Sequence, residues 1–353
     1  MIGIALAVSA AAAVPFVVLG HRAVHQRRAA IALRIATPDR AFEEGFVRIG
    51  GIEQWLSIRG EHRKNPVLME LHGGPGASNT IFTPRTRQWE RHFTIARWDM
   101  RGAGKTFGRA GEPGQGELTF ARVIADAVEV AEYVRERCGQ QRLILLANSF
   151  GTTFGLRLAR SRPDLFSAYV GTDQNTCDGS GEDASYLGAL ERLKQADRSK
   201  EVAMLEAMGS DPRRWSVDDW NTSAKIIARS DPRLAEVLRK VVVASLWFSP
   251  LHRLPELAHF AKGMTFSARL CREAAHCDPA REGMQFEVPF FIFQGEHDVL
   301  TTVDDARRYF AEVVAPVKDL AIIPDATHFA SFSRPDYFLE LLCSRVLPCV
   351  RAL

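Results

Sequence analysis

Several features are missing from this sequence. None of its six cysteines (Cys138, Cys177, Cys271, Cys277, Cys343, Cys349) falls in a C-x-x-C pair, which argues against a zinc site. Cys271/Cys277 and Cys343/Cys349 are spaced so that an oxidising compartment would allow bridges. Free thiols are the favoured reading for a chain of 353 residues. Excess charge is missing too. Lys and Arg number 45 against 42 Asp and Glu, a net +3, and no dense basic block follows the first forty residues. That balance excludes a nucleic-acid binder held by electrostatics. There is no internal repeat, and no low-complexity tract beyond the alanines near the start. What is present is an ordinary globular composition, 46% hydrophobic and 25% charged, enough for one large domain with an insertion or for two small ones.

Charge is also absent from Ile2 to Gly20, after which come Arg22, Arg27, Arg28 and Arg34. The run approaches the ~20 apolar residues that a membrane-crossing helix needs. No positive n-region precedes it, so a cleaved signal peptide, which would make the protein secreted or periplasmic, is the alternative. The favoured expectation is a single-pass N-terminal anchor. Its flanking arginines would keep the catalytic domain on the cytoplasmic side. Ala23 to Arg40 reads as a basic, partly helical linker, so residues 1–40 stand apart as anchor and linker.

Beyond them the pattern alternates. Phe46–Ile49 and Ile52–Ile58 flank Gly50-Gly51 as a hairpin. Short apolar runs follow at Val67–Leu71, Phe93–Trp98, Leu143–Leu146, Ala168–Gly171, Pro289–Gln294 and Leu320–Ile323. Helical spacing separates them, clearest over Thr119–Arg137, with Gly139 as its C-cap. Strand-like runs vanish between about Asn175 and Phe286, where amphipathic helical segments take over. The expected fold class is α/β, a mostly parallel sheet with helices on both faces and an inserted helical cap. Residues 41–174 and 287–353 form the core, and 175–286 the cap. Such an insertion lies over the strand C-termini, where ligands bind in open α/β sheets.

Three residues of complementary chemistry fall just past strand ends. Ser149 follows Leu143–Leu146, Asp298 follows Pro289–Gln294, and His328 follows Leu320–Ile323. A serine hydroxyl becomes a nucleophile when a histidine accepts its proton and an acid orients that histidine. Each residue alone has an ordinary explanation; a serine at a strand end is commonly a helix cap. Glu296 and Asp173 are rival acids, His297 is a rival base, and His72 reads as a loop-shaping residue. The oxyanion of such a reaction needs backbone N–H donors. Phe150, next to the serine, and Gly74, in the glycine-rich His72–Gly76 loop, are the candidates, with Gly73 next. Hydrolysis of this kind requires no metal and no organic cofactor.

The order Ser, Asp, His is that of the α/β-hydrolase fold. HGGPG at 72–76 followed by WDMRGAGKT at 98–106 resembles the proline iminopeptidase branch of that fold, over about Phe46 to Leu347. Asp99, Arg101, Gly102 and Gly104 match the branch's second segment, with Thr106 where serine is usual. Two departures stand out. Ala147 replaces the first glycine of G-x-S-x-G, so the gap beside residue 147 must admit one Cβ, and Thr327 replaces a frequent glycine before the histidine. The resemblance implies an aminopeptidase for short peptides that holds the substrate's α-amine with cap carboxylates. Of Glu182, Asp183, Glu191, Glu201 and Glu206, Glu182 is the one carried over as substrate-binding. Esterase, lactonase or amidase activity on the same residues, and a catalytically silent binding protein, remain open.

Overall fold

The computed structural model describes residues 2–176 and 183–351. Its centre is an eight-stranded sheet in the order β1-β2-β4-β3-β5-β6-β7-β8. The strands are β1 (Ala41–Ile49), β2 (Ile52–Gly60), β3 (Val67–Leu71), β4 (Thr94–Asp99), β5 (Leu143–Asn148), β6 (Phe166–Thr172), β7 (Phe290–Gly295) and β8 (Lys318–Ile323). β1 pairs antiparallel with β2, and β2 with β4; every later pairing is parallel. β3 to β7 are buried along their full length, as strands covered on both faces must be. This is the architecture that the runs of apolar residues predicted, within one to three residues at most ends.

The sheet separates two apolar cores. One face packs the helices Phe120–Cys138 and Gly151–Ser161 through Val123, Ala127, Val130, Phe154 and Leu158. The other packs Trp89, Phe291, Phe293 and Phe338, with the Trp89 and Phe338 rings stacked 5.3 Å apart. Thr119 caps the first helix by accepting from Arg122 N–H, and Gly139 ends it in the left-handed region.

Between β6 and β7 the described residues form helices only, from Ala184 to Glu282. Tyr186, Ala189, Leu193, Leu205, Trp215, Ile226 and Ile227 make a small core within this insertion. Its last part is tied to the sheet domain: Leu270, Cys271 and Ala274 join the cluster that contains Phe150 and Phe154. The five cysteines among the described residues are free.

The N-terminal expectation fails. Among the described residues no helix is long and apolar enough to cross a membrane. That overturns the single-pass anchor, the membrane contact expected through it, and the orientation drawn from the flanking arginines. The uncharged run continues without a break into one helix, Ile2–Ala32, so Arg22, Arg27 and Arg28 are residues of that helix. Arg22 is buried and donates to the carbonyls of Trp247 and His252, each at 2.8 Å. The charged end of the helix is therefore docked on the protein.

Alanine at 147 has a local solution. Ala147 is fully buried, and a methyl placed on Gly155 of the facing helix would lie 2.8 Å from its Cβ and 2.9 Å from the Tyr169 ring. The methyl added at the strand is matched by a missing one on the helix a turn later. Gly155→Ala is expected to lower stability by about 1–3 kcal/mol through overpacking. Ala147→Gly in the same chain should restore part of it, Tyr169 retaining the rest. Urea unfolding of both single variants and the double variant checks the coupling; strictly additive effects would show that the two sites do not share this space.

Candidate active site

β5 ends at Asn148, and the helix Gly151–Ser161 begins three residues later. Ser149 makes the turn with φ of +51°, a conformation that strains any residue with a Cβ. Its surroundings hold it there. Ser149 N–H donates to Thr172 O at 2.9 Å, and Ser149 O accepts from Thr152 N–H at 2.8 Å and Thr152 Oγ1 at 2.6 Å. Helix and strand cross so closely that a methyl on Gly151 would sit 2.5 Å from Leu71 O and 2.6 Å from His72 O. The result lifts Ser149 Oγ clear of the sheet's end.

The other two predicted residues converge on it. His328 Nε2 lies 2.9 Å from Ser149 Oγ, and His328 Nδ1 lies 2.9 Å from Asp298 Oδ2. Asp298 is buried and held from several sides. Its Oδ1 accepts the N–H groups of Leu300 and Thr301 at 2.9 and 3.0 Å, and its Oδ2 accepts from Thr301 Oγ1 and Gln294 Nε2 at 2.8 and 3.1 Å. Burial pushes His328 toward its neutral form. The carboxylates of Asp298 and Asp173, with the hydrogen bond to Asp298, outweigh it and raise the imidazole above the ordinary histidine range. The rival acid Glu296 accepts Asp325 N–H on the exterior of the neighbouring loop, and His297 lies 3.6 Å from Glu296.

The glycine-rich loop faces the serine. A methyl on Gly73 would be 3.0 Å from Ser149 Cβ and 3.5 Å from its Oγ; Gly74 is the next residue, with φ of +123°. Phe150 heads the helix Gly151–Ser161, whose N-terminus favours negative charge. His72 shapes the loop from below: its Nδ1 donates to Gly73 O at 2.9 Å, and its Nε2 accepts Met100 N–H at 3.1 Å. The second segment braces it further. Asp99 accepts from Ser78 Oγ and from Lys105 N–H, while Arg101 is paired with Asp126 at 2.9 Å in the interior. Thr106, at the departure from the usual serine, still uses its hydroxyl, accepting Trp55 N–H at 2.8 Å.

Of the predicted amine-binding acids, Glu182 lies outside the described residues. Asp183 caps the helix Ala184–Gln195, Glu201 pairs with Arg198, Glu206 with Lys194, and Glu191 accepts from Gln195. A polar chain runs beneath the serine. Arg97 pairs with Glu70 at 3.0 Å; Asn79 donates to Glu70 and to Asn148; Asn148 donates to Ser331. Its signal was one charge in each of two otherwise apolar runs, and these charges face one another in the β3/β4 register.

Two buried histidines give the fold a pH dependence. Burial lowers His72 to about 4, and burial, aided by the Lys105 and Arg22 charges, lowers His252 to about 3. Both stay neutral in the folded chain where the unfolded chain binds protons below about 6.5. Their contribution to stability should therefore fall as pH drops from about 6.5 toward 4, by up to ~1.4 kcal/mol per pH unit for each histidine, against the buried carboxyls of Asp173, Glu70 and Asp99, whose raised values act in the opposite sense. Chemical denaturation of the wild type and of His252→Asn across that range isolates the histidine part, and an identical slope in both would contradict it.

The sequence pattern of the alpha/beta hydrolase fold family matches residues 66–335, and the chain belongs to that family. Within it the chain is similar to aminopeptidases and proline iminopeptidases. It is 24% identical over 309 residues, 83% of this chain and 93% of the other, to the probable aminopeptidase YbaC of Bacillus subtilis. It is 31% identical over 118 residues, 33% of this chain and 37% of the other, to a proline iminopeptidase of Thermoplasma volcanium. A solved structure of a proline iminopeptidase-related protein from Thermus thermophilus superposes with a TM-score of 0.59 at 20% identity, covering 89% of this chain and 100% of that one.

Proposed function

We propose that the protein is a serine hydrolase of proline iminopeptidase type, releasing the N-terminal residue of short peptides. The observation that carries the reading is the pair of 2.9 Å contacts linking Ser149, His328 and Asp298. Ser149 Oγ attacks the scissile carbonyl carbon while its proton passes to His328 Nε2. Asp298 orients the ring and supports the imidazolium that forms. The amides of Phe150 and Gly74 hold the oxyanion. As the tetrahedral species collapses, the C–N bond breaks and His328 returns the proton to the departing amine. Water, losing a proton to His328, then attacks the acyl-enzyme and frees Ser149.

In this reading residues 175–286 act as a cap that excludes folded chains. Glu182 pairs with the substrate's ammonium, which in a partly desolvated site needs a carboxylate partner. The named aminopeptidase relatives support the peptidase assignment. The other four candidate acids, Asp183, Glu191, Glu201 and Glu206, are engaged elsewhere, and the alternative is sharp: without an amine partner, the same machinery suits esters or simple amides. Prolyl-naphthylamide is expected to be turned over faster than p-nitrophenyl esters of comparable size, and Glu182→Gln to raise KM for the amide. Undiminished amide turnover by Glu182→Gln would remove amine recognition from the reading. Ester turnover without any aminoacyl-amide turnover would leave the esterase.

A further inference from the structure

We propose that Asp173 is a positioning residue for His328: its carboxylate clamps the peptide that follows the histidine and lays a second buried negative charge beside the ring. The inference rests on the reading of Ser149, His328 and Asp298 as the catalytic relay. Strand order is where it begins. Ser149 directly follows β5 and β8 leads to His328, with β6 and β7 between them. For its ring to reach Ser149, the His328 loop must pass back across the ends of β7 and β6, each step about 4.8 Å. Asp298 stands at the end of the first, and Asp173, the residue after Thr172, at the end of the second.

Asp173 is 1% exposed and turns with φ of +51°. One carboxylate oxygen accepts Phe329 N–H at 3.2 Å and the other Ala330 N–H at 3.3 Å. These are the two peptides directly after His328, and Phe329 itself has φ of +68°. A left-handed phenylalanine is held only where surroundings fix it, and both Asp173 oxygens are spent on doing so. The clamp also brings charge. An oxygen of Asp173, an oxygen of Asp298 and a ring nitrogen of His328 lie within 4.8 Å of one another. This spacing resembles a metal ligand set, but both nitrogens of His328 are already engaged, with Asp298 and with Ser149.

The charged groups facing His328 are thus Asp298 from the β7 loop and Asp173 from the β6 loop; Ser149 and Thr301 face it uncharged. Burial raises the Asp173 carboxyl to about 7, with the His328 charge and the two amides opposing this and the Asp298 charge adding to it. Where Asp173 is ionised, two adjacent buried carboxylates make the imidazolium of the reaction easier to form than one would. This is a role that amide capping alone would not require.

The test uses Asp173→Asn in the full chain, which keeps an acceptor for one amide and removes the charge. Histidine NMR titration in a Ser149→Ala background should show His328 losing its proton about one unit lower when Asp173 is also replaced. In the active chain kcat should fall about tenfold with KM little changed, and the acid limb of kcat/KM should move to lower pH. Asp173→Glu should recover part of the charge effect. Unchanged His328 titration, or a wild-type kcat with an unmoved limb, would overturn the proposal, as would a loss confined to thermal stability in both Asp173→Asn and Asp173→Ala. Failure of the relay itself shows separately, as hydrolysis that survives Ser149→Ala, and the titration reports on Asp173 either way.

Discussion

Ser149→Ala is expected to lower kcat by about 10⁵–10⁶-fold and to abolish labelling by a fluorophosphonate, with the fold retained. The magnitude follows from what is lost. Without Oγ there is no covalent path, and the residual rate comes from oxyanion donors and substrate positioning alone. The fold survives because the turn is held through the backbone of Ser149, bonded to Thr172 and Thr152, and not through its side chain. Alanine carries the same Cβ at the same positive φ. His328→Ala should lose a similar factor, and the double variant no more than either, because the two residues act as one unit. Labelling of wild type and Ser149→Ala to equal extent would sink the assignment, and so would multiplicative losses in the double variant.

Arg97→Met is expected to lower stability by about 3–5 kcal/mol, the largest effect foreseen for a residue outside the relay. Arg97 and Glu70 are both buried, paired at 3.0 Å, and Arg97 also donates to Thr86 Oγ1 at 2.7 Å. Removing the guanidinium strands a carboxylate in the interior. Burial already raises Glu70, with Arg97 opposing it, so without Arg97 the group takes up a proton. A folded carboxyl held above its unfolded value contributes stability at low pH and loses it as pH rises. The deficit of Arg97→Met should therefore be larger at pH 8 than at pH 5. Urea unfolding at both values measures it, and Glu70→Met in the same chain should recover much of the loss. The effect also reaches the site: Asn79 carries the Glu70 network to Asn148, which precedes Ser149, and on to Ser331, three residues past His328. A fall in kcat that exceeds the unfolded fraction would register that connection.

The parts of the fold legible in the sequence were those with a local cause. Buried parallel strands are apolar along their length, so Val67–Leu71 was read to its exact residues and Leu143–Asn148 to within two. The helix Phe120–Cys138 announced its ends through Thr119 and Gly139. Ser149, Asp298 and His328 stand out in the sequence because the ends of strands are where an α/β sheet presents chemistry, and the fold brings them into 2.9 Å contacts. Gly155 carries no signal in the sequence, since nothing along the chain says that it faces Ala147. The missed Arg97–Glu70 pair had a readable trace, a charge in each of two core runs, but its meaning needed the β3/β4 register.

The N-terminal run shows the opposite case. Ile2–Gly20 has no charge, and composition alone pointed to a bilayer. Composition does not record what the following turns touch, and the docking of Arg22 on Trp247 and His252 arises from contacts more than two hundred residues away. By itself, then, the sequence determined the class of sheet, the order of its elements and the identity of three residues poised at strand ends, because periodicity and turn chemistry act between near neighbours. Only the tertiary structure decided which acid meets His328 at 2.9 Å and which clamps the peptide beyond it, how an alanine fits at the end of the strand before Ser149, and where the first helix ends up. Those outcomes depend on distances between strands that are far apart along the chain, and they are fixed only when the sheet closes its order.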